Sequence, residues 1–200
     1  MNHQGTKNLE TERLILRRFT IADAEEFFQN VTSDPEVNRF LTWPLHETVE
    51  DTKSLLSEWV ERYENPERYC WAIVLKETEE VIGTIAAPTV KNRIDAVEVT
   101  YCIGSRLWGQ GIVPEALQAV MQYMFEEVQV NRIEAGFDAN NPNSGRVMEK
   151  VGMQKEGILR QAGRNNQGLF DLVFYGILKE EWVRCLEEKI LVEDRIIAKW

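Results

Sequence analysis

"SRLWGQGIVPEALQAV", residues 105–120, carries two glycines one residue apart, then a proline, a glutamate and an apolar run at helical spacing. Pro114 suits a first helical turn, where its missing N–H costs nothing and its fixed φ is already helical. A helix is therefore expected to begin at 112–114, with Gly109 and Gly111 immediately before it. Glycines there let the backbone curl until several N–H groups point at one spot, and leave no Cβ in the way of an approaching group. With the positive end of the helix dipole behind them, they form a cradle suited to a diphosphate. A plain strand-to-helix turn would use the same residues, so the glycines alone leave both readings open. Two other phosphate motifs fail. No G-K-[ST] follows, which excludes a Walker loop, and Pro114 stands where a dinucleotide-binding G-x-G-x-x-G needs its third glycine.

Outward from this turn, "AVEVTYCIG" (96–104) reads as a strand before it and "RIEAGFDA" (132–139) as a strand after it. With the intervening helix over 114–127, they form one parallel crossover. That helix presents Ala116, Leu117, Val120, Met121, Met124 and Phe125 on one side. "YCWAIVLK" (69–76) and "VIGTIAAPTV" (81–90) reach 96–104 through the short polar turns "ETEE" and "KNRID", which predicts an antiparallel meander. Further out, "TERLILRRF" (11–19) reads as the first strand. Thr20 with Asp23 opens a helix that Asp34-Pro35 breaks. "ETVEDTKSLLSEWVERY" (47–63) reads as a second helix. Beyond 139, "NNPN" leads into a helix from Ser144 to Val151 that Gly152 caps. Strands near 155–162 and 169–178 then flank "RNNQG", and a charged amphipathic helix closes the chain. The order predicts an α+β fold around a mixed sheet of seven strands.

Two hundred residues, 44% of them hydrophobic and 28% charged, are expected to form a single domain spanning 1–200. The net charge of −10 argues against a nucleic-acid partner and mildly favours a cationic one, although such charge commonly serves only solubility. No leader-like segment and no apolar run of bilayer length is present, so no membrane partner is expected and the cytoplasm is the default location. Cys70, Cys102 and Cys185 are odd in number and widely spaced, which fits a reducing compartment. The two histidines, His3 and His46, leave a histidine relay or His-rich zinc site to be built around His46 alone, and no metal is expected.

The chain resembles the GCN5-related N-acetyltransferases, and among them the RimJ/RimL-type branch. The family motif V-x4-[QR]-x-x-G-x-[GA] is read here as Ile103, four residues, then Trp108, Gly109, Gln110, Gly111, Ile112 and Val113. Trp108 replaces the first Gln/Arg and Val113 the last Gly/Ala, which is similar to the RimJ/RimL version. "LETERLILRRFTIADAEEFF" resembles the branch's opening, "VEVTYCIG" its fourth strand, "NPNSGRVMEKVGMQKEGILR" its late CoA-side motif and "GLFDLVFYGILKEEW" its closing strand. Residues 183–200 run past the family's usual end, as a C-terminal helical extension. The resemblance implies a three-layer fold, helices on both faces of a mostly antiparallel sheet, and a splayed junction between strands four and five. It implies acetyl-CoA as cosubstrate, with no metal, and a primary amine as acceptor: a protein N-terminus of the ribosomal-protein type, or a small amine or antibiotic. A non-catalytic acyl-CoA-binding module on the same fold is the other outcome. Related enzymes are often homodimers, and the oligomeric state stays open.

Direct attack of an amine on a thioester needs positioning, a proton acceptor for the ammonium and a donor for the departing thiolate. By the resemblance, Ile103 and its neighbours pair with the pantetheine arm, the amides of 109–113 hold the diphosphate, and Asn141 contacts the pantetheine. Glu98 is the candidate general base. It shares a strand face with Thr100 and Cys102, where an ordinary cross-strand charge pair is the competing reading. Ser144 stands where the branch's N-x-x-S motif places a serine near the CoA sulfur, although a serine at a helix start also serves as an N-cap. Tyr101 is a fallback acid. Arg106 and Arg146 are candidate phosphate donors or surface charges. A free α-amine (pKa ~8) needs less help from a base than a lysine amine (~10.4).

Overall fold

A computed structural model describes residues 1–187 of the chain. Eight strands form one sheet in the order β1-β2-β3-β4-β5-β6-β8-β7. The strands are β1 (Leu9–Glu10), β2 (Leu14–Arg17), β3 (Tyr69–Leu75), β4 (Val81–Lys91), β5 (Ala96–Ile103), β6 (Arg132–Asp138), β7 (Gln154–Asn165) and β8 (Gly168–Leu178). The eighth strand arises because 11–19 is not one element. Thr11 accepts the Leu14 N–H on its hydroxyl (3.0 Å) and donates its own N–H to Leu14 O (3.0 Å), so the chain turns there. The stretch expected as one strand thus begins in a turn, and a two-residue β1 pairs back on β2, Leu9 opposite Leu16. The strands expected fourth and fifth are accordingly β5 and β6.

The helices are α1 (Ala24–Phe27), α2 (Pro35–Asn38), α3 (Val49–Glu61), α4 (Ile112–Tyr123) and α5 (Pro142–Lys150). The helix expected from Thr20 is irregular: a 3-10 turn over Ile21–Asp23, then α1, then a π turn over Phe28–Thr32. Residues 179–187 are also helical, and the remainder of the expected C-terminal extension lies outside the described residues. No helix among the described residues is long and apolar enough to cross a membrane.

The centre of the sheet is buried on both faces, as β3 shows. Tyr69, Trp71 and Ile73 join one core with α4, Met148 of α5 and Trp182, while Cys70, Ala72 and Val74 join another with Phe27, Leu56 and Trp59 of α1 and α3. A strand covered on both sides reads as a continuous apolar run, and "YCWAIVL" does. The result is three layers, helices against both sides of a mostly antiparallel sheet.

Two irregularities position the site. In β4, Ala86 faces Thr100 and Thr89 faces Glu98, so Ala87 and Pro88 together oppose Val99 alone. This is a bulge at the residue that lacks an N–H, and bulges bend a strand and re-aim neighbouring side chains. The second is the single parallel pairing. β5 and β6 keep register only over Ala96–Arg132, Val97–Ile133 and Glu98–Glu134, then part, while β6 stays on β8 as far as Asp138–Leu172.

Candidate active site

Where β5 and β6 diverge, the sheet opens into a cleft of about 1050 Å³. Glu98–Ile103 form its floor, Gly109 with Gly111–Pro114 one wall, and Gly136–Asp138 with Asn141 and Ser144 the other. The edge of β5 on this side is unpaired beyond Glu98. The Gly104 N–H donates to Ile82 O (3.0 Å), across to β4. By alternation along the strand, Ile103, Tyr101 and Val99 turn their N–H and C=O groups toward the cleft.

The turn before α4 has the cradle geometry. Gly109 (φ +80°) and Gly111 (φ +77°) both occupy the left-handed region, and a Cβ on Gly109 would meet nothing within 4 Å. Gly111 is the N-cap of α4, and Glu115 N–H donates to Gly111 O (3.3 Å) to start the helix. Among the described residues, no acceptor takes the N–H groups of Gly109, Gln110 and Gly111. Free amides beside a helix N-terminus, with space over the first glycine, fit a diphosphate. Trp108 explains its own place in the motif: its indole N–H donates to Ile103 O (3.1 Å), tying the turn to the end of β5. The Ile103 carbonyl is therefore engaged within the chain, and pairing at that residue is left to its N–H. Arg146 lines the cleft. Arg106 does not: its guanidinium is held by Glu80 (2.7 Å) and Asn30 (3.1 Å), which corrects its candidacy as a phosphate donor.

Glu98, Tyr101 and Ser144 all line this cleft. Glu98 is half-buried and forms no ion pair or hydrogen bond with a described side chain. Its register partner on β6, buried Glu134, accepts from Lys91 and from Arg132 Nε (2.8 Å). Burial opposes the Glu134 charge, but these two donors outweigh it and hold the carboxyl below its usual range. Tyr101 donates its hydroxyl to Ser144 O (2.9 Å), with Ser144 Oγ at 3.1 Å. Burial pushes the Tyr101 phenol well above the ordinary tyrosine range, the Ser144 bond opposing, so the hydroxyl keeps its proton at neutral pH. Ser144 is not the N-cap expected of it. Pro142 takes the first helical position and Asn141 the cap, which puts Ser144 inside the first turn of α5 and leaves its hydroxyl to Tyr101. Asn141 lines the cleft at that cap. A helix N-terminus beside a neutral phenol can stabilise a thiolate and then protonate it.

The opposite half of the cleft was not foreseen. Phe40, Leu41 and Trp43, from the segment after α2, face Phe170 and Leu172 of β8. The two walls are fastened by the β7–β8 turn. Asn166 N–H donates to Leu41 O (3.1 Å), and its side-chain amide reaches Trp43 O (2.7 Å), Asn38 O (2.9 Å) and Asn38 Oδ1 (3.0 Å). Asp138, buried at the end of β6, accepts from Asn165 Nδ2 (2.8 Å) and from Asn140 N–H (2.9 Å), seating the same turn. No residue-type pattern marks these contacts. Asn38 and Asn166 are 128 residues apart, and only the sheet order joins them.

The family described as "Acetyltransferase (GNAT) domain" matches residues 13–154. The uncharacterized N-acetyltransferase YoaA of Bacillus subtilis is 34% identical over 171 residues, 86% of this chain and 96% of its own. The [ribosomal protein uS5]-alanine N-acetyltransferase of Escherichia coli is 25% identical over 74% of this chain and 79% of its own. Among solved structures, a putative acetyltransferase from T. thermophilus superposes with a TM-score of 0.77 at 29% identity, covering 94% of this chain and 96% of that one.

Proposed function

This chain belongs to the acetyltransferase (GNAT) family, whose members use acetyl-CoA as acetyl donor, and on that premise we propose how its own residues act. Acetyl-CoA supplies an activated thioester whose carbonyl carbon a neutral amine can attack directly. Val99, Tyr101 and the Ile103 N–H offer a free strand edge for the pantetheine arm, a form of β-addition. The amides of Gly109–Val113, with Trp108 pinning the turn, take the diphosphate, and Asn141 borders the arm at the start of α5.

Glu98 receives the proton of the incoming ammonium, directly or through one water. The observation that carries this role is its isolation: a half-buried carboxylate on the cleft floor with no ion pair or hydrogen bond to a described side chain. An unpaired carboxylate there has its oxygen lone pairs free to accept the proton of the ammonium. Tyr101, coupled to Ser144, returns a proton to the thiolate sulfur.

The acceptor is a protein N-terminal α-amine of the ribosomal-protein type. Two considerations support it: the ribosomal-protein relative, and the pKa of such an amine at ~8, which asks little of Glu98. The test is release of free thiol from acetyl-CoA with a panel of N-terminal peptides, lysine peptides and small amines, for the wild type and Glu98→Gln. N-terminal peptides should give the highest kcat/KM, and the substitution should lower kcat by about 10²-fold or more. Preferential turnover of a small amine would replace the acceptor assignment. Binding of coenzyme A with no thiol release from any acceptor would replace the enzyme with a sensor, and unchanged kcat in Glu98→Gln would remove the base.

A further inference from the structure

We infer that Arg13, Glu115 and Thr11 form a brace that orients the diphosphate turn, and are positioning residues for acetyl-CoA. The inference rests on the reading that the amides of Gly109–Val113 hold the diphosphate. Arg13 lies in the tight turn between β1 and β2, far from the reacting groups in sequence and lining no part of the cleft. Its guanidinium makes two kinds of contact at once. Nη1 donates to Gln110 O (3.0 Å), while Nε (2.7 Å) and Nη2 (2.6 Å) grip Glu115 Oε2. Glu115 Oε1 is taken by the Arg13 backbone N–H (2.9 Å) and the Thr11 hydroxyl (2.6 Å).

The bond to Gln110 O sets the turn. A trans peptide points its C=O and the next residue's N–H in opposite directions, and no peptide among the described residues is cis. Holding the Gln110 carbonyl back against β1–β2 therefore turns the Gly111 N–H the other way, into the cleft that Gly111 lines. Gly111, on one side of this peptide, has positive φ and as a glycine can also adopt the φ of a flipped peptide at little cost, so the bond from Arg13 keeps the peptide one way round.

The grip on Glu115 removes an obstacle. Glu115 sits in the first turn of α4, where its carboxylate would repel a diphosphate drawn to the same helix end. Burial disfavours its charge, yet Thr11 and Arg13 hold the carboxyl below its usual range, so the charge stays and must be neutralised in place. The paired Arg13 does this with Nε and Nη2 on one carboxylate oxygen while Nη1 reaches Gln110 O, a set of contacts a lysine cannot reproduce. Two sequence features that look unrelated, "TER" at 11–13 and the glutamate of "PEAL", thus serve one turn.

The test titrates the protein with coenzyme A and with pantetheine, which lacks the diphosphate, while following the Gly109 and Gly111 amide resonances. In the wild type, coenzyme A should shift both glycine amides and pantetheine neither. Arg13→Ala should weaken coenzyme A by about tenfold or more, with pantetheine changed by less than about twofold. Arg13→Lys, which keeps the charge and guards against a folding failure, should fall between. Equal weakening of both ligands would mean that Arg13 only supports the fold and would overturn the inference, as would wild-type affinity for coenzyme A in Arg13→Ala. Should the wild type bind coenzyme A without moving either glycine amide, the placement of the diphosphate fails and the brace with it.

Discussion

Tyr101→Phe separates structure from chemistry at one atom. The substitution keeps the ring, which packs against the core, and removes only the hydroxyl that donates to Ser144 O (2.9 Å) and touches Ser144 Oγ (3.1 Å). As structure, that is one buried hydrogen bond, about 1 kcal/mol, and a carbonyl left short of a donor. In a domain of this size the melting temperature should fall by roughly 2–4 °C. As chemistry, a proton donor to the departing thiolate contributes ~10²–10⁴ in rate, or about 3–5 kcal/mol of barrier. The two magnitudes do not overlap, so the outcome is decisive. With saturating acetyl-CoA, kcat should fall at least a hundredfold while the KM for acetyl-CoA changes by less than about twofold, because no contact to the diphosphate is lost. Adding Ser144→Ala should cost little more, since residues acting as one unit are not additive. In the wild type, burial keeps the phenol protonated, so the rate should not decline as pH rises through ~10, the usual tyrosine range. If Tyr101→Phe melts a few degrees lower but retains kcat within about threefold, Tyr101 is a packing residue and the proton comes from elsewhere.

Gly111→Trp should raise the KM for acetyl-CoA by about tenfold or more with a smaller change in kcat, read from initial rates at varied acetyl-CoA. It places a bulky side chain at a left-handed φ of +77°, with the Arg13 guanidinium 3.6 Å from the new Cβ. Acid should destabilise the fold through carboxyls held below their usual range, Glu134 by Lys91 and Arg132 against its burial, and Asp23 by Arg17 against its own. A depressed folded pKa contributes stability above the unfolded value, ~4, that is lost as pH falls through the folded one. Glu134→Gln should therefore lower the melting temperature at pH ~7 far more than at pH ~2, and an equal drop at both would refute the assignment.

The glycine turn, the meander and the crossover helix were legible because each rests on local chemistry: glycines able to take positive φ, apolar runs joined by short polar turns, a proline at a helix start. The division of β1 from β2 was not, because one threonine side chain decides it and Thr11 looks like any strand residue. Ser144 was misplaced as a cap although Pro142 carried the signal, since proline favours the first helical position and so moves the boundary two residues earlier. The divergence of β5 and β6 leaves no trace in either strand, because the period-two pattern is the same whether or not an edge finds a partner. Arg106 and Glu80, Tyr101 and Ser144, and Asn166 and Asn38 are pairings across the fold, which composition and spacing do not reveal.

Asn166 has a consequence for how this enzyme can change. The glycine turn at 109–111 is built into a core helix and a central strand, so altering it disturbs the interior. The facing wall is stitched to the loop after α2 by Asn166, at the tip of a hairpin whose outer strand, β7, has no further neighbour among the described strands. Exchanging a handful of residues in that tip and in the loop it fastens would reshape this half of the cleft and leave the glycine turn as it is. The two halves of the cleft are thus mechanically uncoupled, and one can be altered without rebuilding the other.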